Sequence, residues 1–417
     1  MTDYSKRTIL ICDNGLFVEW AALLAKSFKK VYYYSPWESA YPASVETLTG
    51  TGLPGVTRVN DFWPIVDEVD LFIFPDIYYG GLQEHLVKLG KRVWGSRHGQ
   101  ELEMDRAKSK ELLDAAGVDI GPYEVVVGID DLRDYLKEND NVFVKISTTR
   151  KDMETFHSKK YAHVEPRLDA LEHSLGPWKN HMQFIVEDAI DNAIEIGYDG
   201  WTIDGKFPKN AMWGVEIKDA GFVLNTAAYS DLPKPAIEVN TLMAPMLKKY
   251  QYRGFISSEI RVTKEGRNFA IDPCCRCGSP PNELYQTIIT NWPDILWEGA
   301  DGVMVEPDFV AKWGAQLMIK SEWALDNWQP ISFPKSLRDQ VKIHHLAIMD
   351  GKYYYVPECK GSSTVGAVVA LGDTMEDAIK NCREAADKIE GYYLEVNSAS
   401  LDDAKEAVEK ILKMGKQ

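Results

Sequence analysis

The residues best suited to chemistry are crowded between Ser257 and Pro281. Glu259 and Asp272 stand on either side of Lys264-Glu265-Gly266, a sequence that favours a turn between two strands. In such a hairpin the two carboxylates would lie within a few ångströms of each other on one face. Paired hard oxygen ligands suit Mg2+, which usually takes one or two protein carboxylates together with substrate phosphates. Arg276, just past the second strand, is placed to neutralise a phosphate or a carboxylate. The same pattern fits an exposed hairpin with ordinary surface charges equally well.

Other candidates carry less. Cys274-Cys275-Arg276-Cys277 contains C-x-x-C, but zinc needs about four ligands and no second Cys or His pair has matching spacing. A redox C-x-x-C favours a helix N-terminus, whereas this one follows a strand. His344-His345 reads as one core and one surface residue on a strand. The sequence offers no Ser-His-Asp or Cys-His pattern for nucleophilic catalysis.

These residues need a scaffold. Thr8–Cys12, Val31–Tyr34, Val69–Phe74 and Val93-Trp94 read as short apolar strands, with a helical stretch through Leu23 to Phe28 after the first. Strands alternating with helices predict parallel βαβ units, whose ligand crevice lies beyond the strand C-termini. No G-x-G-x-x-G follows the first strand, so a dinucleotide-binding reading has little support. Glu101–Ala116 is expected to form one helix with Gly117 as its C-cap. Beyond it come strands at 125–127, 142–146, 184–187 and 194–198, then the pairs 216–218 with 222–224 and 256–262 with 269–272. Their hairpin spacing predicts a largely antiparallel sheet and a second unit of α+β type. A third, small α+β unit is expected from Phe333-Pro334 onward, with a strand at Val365–Ala370 and a helix opened by the capping box Thr374–Asp377.

The whole chain sets bounds on this reading. Its 417 residues suggest roughly two to four domains. With 45% hydrophobic and 26% charged residues it is an ordinary globular composition rather than a disordered or collagenous one. The net charge of −16 makes nucleic acid an unlikely partner, because a polyphosphate backbone would be repelled. Six cysteines, three of them crowded at Cys274, Cys275 and Cys277 and the others scattered, fit free thiols in a reducing compartment rather than a disulfide framework. No apolar run approaches the length of a membrane span or a signal peptide, so a cytoplasmic location is expected.

Asp272-x-Cys274-x-Arg276-x-Gly278-x-Pro280 resembles the E-x-N-x-R-x-G-x-P motif of the ATP-grasp ligases, in the form typical of the phosphoribosylamine–glycine ligase branch. The resemblance continues in order along nearly the whole chain. Asp70-Leu-Phe-Ile-Phe-Pro-Asp76, Trp94-Gly-Ser96 and Leu102–Lys110 follow that family's first domain and its junction. Val142-Phe-Val-Lys145 is similar to the strand whose lysine meets the ATP phosphates. Ile185–Glu195 is similar to the adenine hinge and the ribose-binding glutamate. Val365–Ala378 is similar to the C-terminal domain.

The resemblance implies a three-part enzyme of α/β and α+β class. A Rossmann-like pre-ATP-grasp domain would span 1–100, an ATP-grasp unit 101–333 and a small α+β domain 334–417. It further implies ATP and Mg2+, or Mn2+, as cofactors. Lys145 would place a charge on a phosphate, Glu187 would start the hinge, and the main chain of Asp188, Ala189 and Ile190 would pair with adenine. Glu195 would accept the ribose hydroxyls, Arg106 would contact nucleotide, and Glu216 and Lys218 would border it. Glu259, Asp272 and Cys274 would occupy the metal positions, with Arg276 and Lys145 acting in catalysis. The implied reaction turns a carboxylate into an acyl phosphate and transfers it to an amine, with small-molecule carboxylate and amine partners and a monomer or homodimer as the assembly. Phosphoribosylamine–glycine ligase itself, or a non-catalytic nucleotide-binding module, are the alternatives.

Three departures qualify the match. Cys274 replaces the family's asparagine ligand, and a thiol binds Mg2+ poorly, so the metal would rely on Glu259, Asp272 and water. The Gly-rich lid is replaced by Ser147–Lys160, whose basic residues Arg150, Lys151, Lys159 and Lys160 could clamp phosphates. The Gly-rich substrate signature is replaced by Asp13-Asn-Gly-Leu-Phe-Val18, so the amine need not be phosphoribosylamine.

Overall fold

The computed structural model describes residues 3–35, 49–148, 155–190, 193–357 and 363–414. The first sheet is parallel and holds β1 (Thr8–Cys12), β2 (Lys30–Tyr34), β3 (Val56–Val59), β4 (Leu71–Ile73) and β5 (Arg92–Trp94) in the order β3-β2-β1-β4-β5. Both faces of central β1 are covered. Ile9 and Ile11 feed one core cluster, and Leu10 and Cys12 another. This is why β1 reads as an unbroken apolar run, since a strand covered on both sides shows no alternation. The sheet matches the expected βαβ unit, with β3 added at an edge where its half-exposed residues carry little apolar signal.

A second, antiparallel sheet holds β6 (Tyr123–Val127), β7 (Val142–Ile146), β8 (Thr155–Ser158) and β9 (Gln183–Asp188) in the order β6-β9-β7-β8, with its own core. The largest sheet follows in the chain. It takes β10 (Ile194–Ile203), β11 (Asn210–Ile217), β12 (Gly221–Ala228), β13 (Arg253–Val262), β14 (Asn268–Cys274) and β15 (Trp313–Lys320). After β16 (Gln329–Ile331) come β17 (Val341–Ile343), β18 (Leu346–Met349), β19 (Lys352–Tyr355), β20 (Thr364–Gly372) and β21 (Glu395–Val396). Among the described residues the order is β14-β13-β10-β11-β12-β15-β20-β17, with β21 also on β15, while β16, β19 and β18 form a small sheet of their own. The large sheet therefore runs on past residue 333, and β17 and β20 of the C-terminal segment extend it.

The expected helix Glu101–Ala116 is two helices, Glu101–Met104 and Arg106–Ala115. Asp105 leaves helical geometry, and its side chain accepts the Lys108 N–H at 3.1 Å. An aspartate satisfies an orphan helix donor this way and so starts a new helix. The break sets Arg106 and Lys110 on a short helix beside β7, with the Arg106 N–H bonded to the Ser147 carbonyl. Gly117 follows with φ +83°, as a C-cap requires. Thr374 accepts the Asp377 N–H at 3.1 Å, as its capping position predicts. Among the described residues no helix is long and apolar enough to cross a membrane.

Candidate active site

Residues from the three larger sheets line one cleft of about 1290 Å3. One end of it is built on the pairing of β7 with β9. Phe143 faces Glu187 in register, so Lys145 and Glu187 are diagonal neighbours within reach of long side chains. Lys145 Nζ lies 2.7 Å from Glu187 Oε2 and 2.9 Å from Asp272 Oδ2. Lys110 Nζ reaches Glu187 Oε1 at 2.5 Å and donates to the Ile271 carbonyl at 3.1 Å. Arg106 donates to the Ile146 carbonyl at 2.7 Å, with its Nε 3.9 Å from Asp272 Oδ2. Three buried cations thus converge on two carboxylates at this end of the cleft. Burial opposes the charge on Lys145, but Asp272 and Glu187 outweigh it and hold the ammonium above the usual lysine pKa.

Glu259 stands across from this cluster on β13. The β13–β14 pairing slips by one residue between Ser258 and Ile260, which sets both Ile271 and Asp272 opposite Glu259. A bulge of this kind re-aims a side chain, and both carboxylates line the cleft. Burial, with Glu195 and Asp272 nearby, pushes the Glu259 pKa up to about 7. Burial likewise raises Glu216 to about 7, and Lys218 beside it opposes the rise. Carboxylates that are costly to ionise together are relieved by a divalent cation.

Among the described residues no group of three or more His, Cys, Asp or Glu side chains could hold a metal ion by itself. Cys274 pairs with Ser257, and its Sγ lies 4.0 Å from the Arg276 carbonyl. A thiol is a soft ligand. Glu259 and Asp272, facing the lysines, therefore fit Mg2+ or Mn2+ only with phosphate and water completing the shell.

The hinge residues divide. Glu187 is a counter-ion to two lysines. The N–H groups of Asp188 and Ala189 are donated to the carbonyls of Pro122 and Asn141. Any pairing with an adenine edge would fall to the carbonyls and to Ile190, which lines the cleft with Pro122 and Phe143. Glu195 accepts from Arg261 at 3.0 Å on the next strand pair. Lys218 lines the same wall, and Glu216 and Glu259 keep its ammonium above the usual value despite burial. Residues 149–154, with Arg150 and Lys151, and residues 191–192 lie outside the described residues. The far part of the expected lid returns as β8, where His157 stacks on Phe143 at 4.4 Å.

At the other end of the cleft, Arg276 Nε lies 3.0 Å from the buried Glu103, which also accepts the Cys275 N–H at 2.6 Å. Buried Asp76 is raised to about 7 by burial, with Arg276 opposing the rise. Asp13 accepts from Tyr33 and from the Phe17 N–H, and burial raises it to about 6. Asn14 takes the Tyr79 hydroxyl at 2.7 Å. His344 and His345 are both buried, in the turn after β17 rather than one in and one out on a strand. Sequence reading missed Lys110, Glu103 and His344. Lys110 and Glu103 fall inside the Leu102–Lys110 run, but nothing local shows what they reach.

No family model and no curated protein matches the sequence. The structure is similar to phosphoribosylamine–glycine ligase from Thermotoga maritima, at 16% identity and TM-score 0.69 over 93% of this chain and 98% of that one. It is similar to the biotin carboxylase domain of Hydrogenobacter thermophilus 2-oxoglutarate carboxylase, in complex with MgADP, ADP and bicarbonate, at 13% identity and TM-score 0.69 over 95% and 92% of the two chains. It is also similar to N5-carboxyaminoimidazole synthetase from Staphylococcus aureus, complexed with ADP, at 12% identity and TM-score 0.62 over 92% and 98%. The chain has the ATP-grasp fold. The chain departs from the expected motif at Cys274, and its Asp272 stands where the motif has glutamate.

Proposed function

We propose that this chain is an ATP-dependent carboxylate–amine ligase that works through an acyl phosphate and releases ADP and phosphate. The observation that carries the reading is the set Lys110, Lys145, Glu187 and Asp272 across from Glu259, in the cleft that also holds Arg276. Lys145 and Arg106 would meet phosphate oxygens. Glu259 and Asp272 would hold Mg2+, which when bound neutralises charge on the transferred phosphoryl group. Ile190, Pro122 and Phe143 offer an apolar slot for the base, and Glu195 offers acceptors for the ribose hydroxyls. Arg276 would fork onto the carboxylate, held in place by Glu103. Catalysis would come from alignment and charge neutralisation.

The amine is proposed to differ from phosphoribosylamine. Asn14, Asp76, Tyr79 and His344 line the cleft together with Arg276, whose charge is already engaged by the buried Glu103. A sugar phosphate would find two buried carboxylates there instead of a phosphate site. Glycine, Mg-ATP and freshly made phosphoribosylamine should therefore give little ADP. Efficient formation of glycinamide ribonucleotide would refute this part of the reading.

Nucleotide binding itself is tested by a melting scan. At about 100 times Kd, Mg-ATP should add about 2.7 kcal/mol of stability. No shift at millimolar Mg-ATP would overturn the reading. Cys274→Asn should keep the fold and match or lower the Mg2+ concentration needed for that shift. Loss of the shift in this variant would instead give the thiol a role of its own.

A further inference from the structure

We propose that His344, oriented by Glu283, is the base that takes a proton from the attacking amine; the inference rests on the ligase reading above. Glu283 is fully buried on the helix Asn282–Ile288. Its Oε1 lies 2.6 Å from His344 Nε2 and accepts from Ser279 Oγ at 2.9 Å, while Oε2 accepts from Gln316 Nε2 at 2.8 Å. Burial works against its charge, but the contacts with His344 and Gln316 hold it below the usual carboxylate range. An ionised carboxylate only accepts, so Nε2 carries a hydrogen, and in the neutral imidazole the lone pair is then on Nδ1. Among the described residues Nδ1 has no protein partner, and His344 lines the cleft.

The dyad is tied to both ends of the proposed reaction. Ser279, bonded to Glu283, lies three residues after Arg276, and both line the cleft. On the other side, the turn is clasped by the Asp13–Phe17 loop. His345 N–H bonds to the Gly15 carbonyl at 3.0 Å. Gly15 has φ +106°, and a Cβ there would meet His345 Nδ1 at 2.3 Å, so only glycine lets the loop approach so closely. A base held by a buried acid in the wall of the cleft is the arrangement general-base catalysis needs.

The step balances as follows. The amine binds as an ammonium and gives one proton to His344 Nδ1, whose imidazolium is stabilised by Glu283. Its nitrogen lone pair attacks the acyl carbon, forming the C–N bond. The C–O bond to phosphate breaks, and its electron pair leaves with the phosphate. The second proton on nitrogen goes to that phosphate, and the imidazolium returns its proton to solvent.

Hydroxylamine separates the two halves of the reaction, because it is largely uncharged at neutral pH and needs no base. The full chain is supplied with Mg-ATP and each protein amino acid as carboxylate, with either hydroxylamine or a second amino acid as nucleophile. Hydroxamate, amide and ADP are read by mass spectrometry. His344→Asn should lower amide formation by about 100-fold while hydroxamate formation stays near the wild-type rate. Glu283→Gln, which can still accept from Nε2 but lacks the charge, should lose amide formation less and also keep hydroxamate. Equal loss of both products, or unchanged amide formation, in either variant that folds overturns the inference. Wild-type protein that makes neither product overturns the ligase reading, and this inference with it.

Discussion

Glu259→Gln should lower turnover by about 10³-fold and at the same time raise the melting temperature of the nucleotide-free protein above pH 7. The variant keeps the shape of the side chain and removes one charge. Turnover would fall because, in the proposed reading, Glu259 and Asp272 hold the metal, beside Lys145 in the same cleft. Stability rises because the charge is costly in the empty cleft. Burial, Glu195 and Asp272 raise the Glu259 pKa from 4.5 to about 7. The folded state therefore holds more protons than the unfolded state between those values. Stability from this group is fully present below pH 4.5 and is lost as pH rises through about 7. Asp76, Asp199 and Glu216, all raised to about 7, add slopes of the same sign. The wild-type melting temperature should accordingly fall between pH 5 and 7.5, and Glu259→Gln should flatten that fall. Melting scans across this range, with and without Mg-ATP, check it. A variant with near-normal turnover would refute the metal assignment. One that melts lower than wild type at pH 7.5 would refute the account of its charge.

Much of this site is visible in the sequence, and what is hidden has a physical cause. The Glu259–Asp272 hairpin is legible because its turn and both strands are local. The bulge at Ile271-Asp272 is not, since neither of those two residue types demands an extra position. Lys145 stands out at the end of an apolar strand. Lys110 does not, because one lysine on a polar helix resembles any solvated one. It becomes a site residue only when the break at Asp105 lays its helix beside β9 and β14. His344 is missed for a related reason. Its partner Glu283 lies 61 residues away, and only the extension of the large sheet by β17 and β20 brings the two together. Parallel β1 and β4 are readable from composition alone, whereas the continuity of the large sheet across residue 333 depends on pairings that leave no local trace.

Glu187→Ala should destabilise the protein by about 3–5 kcal/mol, and saturating Mg-ATP should restore part of the loss. The resemblance to the ATP-grasp ligases implies that the adenine hinge starts at this position. The structure shows what the side chain itself holds. Its two oxygens hold Lys110 at 2.5 Å and Lys145 at 2.7 Å, and both lysines are almost fully buried. Without the carboxylate, two ammonium groups lie close together in the interior. Asp272 still meets Lys145, but among the described residues Lys110 keeps only the Ile271 carbonyl. Breaking a buried pair by removing one partner is expensive because the other charge stays behind. A triphosphate carries charge of the missing sign to the same cations, so ligand should recover stability in the variant by more than it adds to wild type. Chemical denaturation of both proteins, with and without Mg-ATP, gives the comparison. An apo stability within 1 kcal/mol of wild type, roughly the range of a surface substitution, would refute the counter-ion role. Equal ligand gains in the two proteins would show that the phosphates do not reach the lysines.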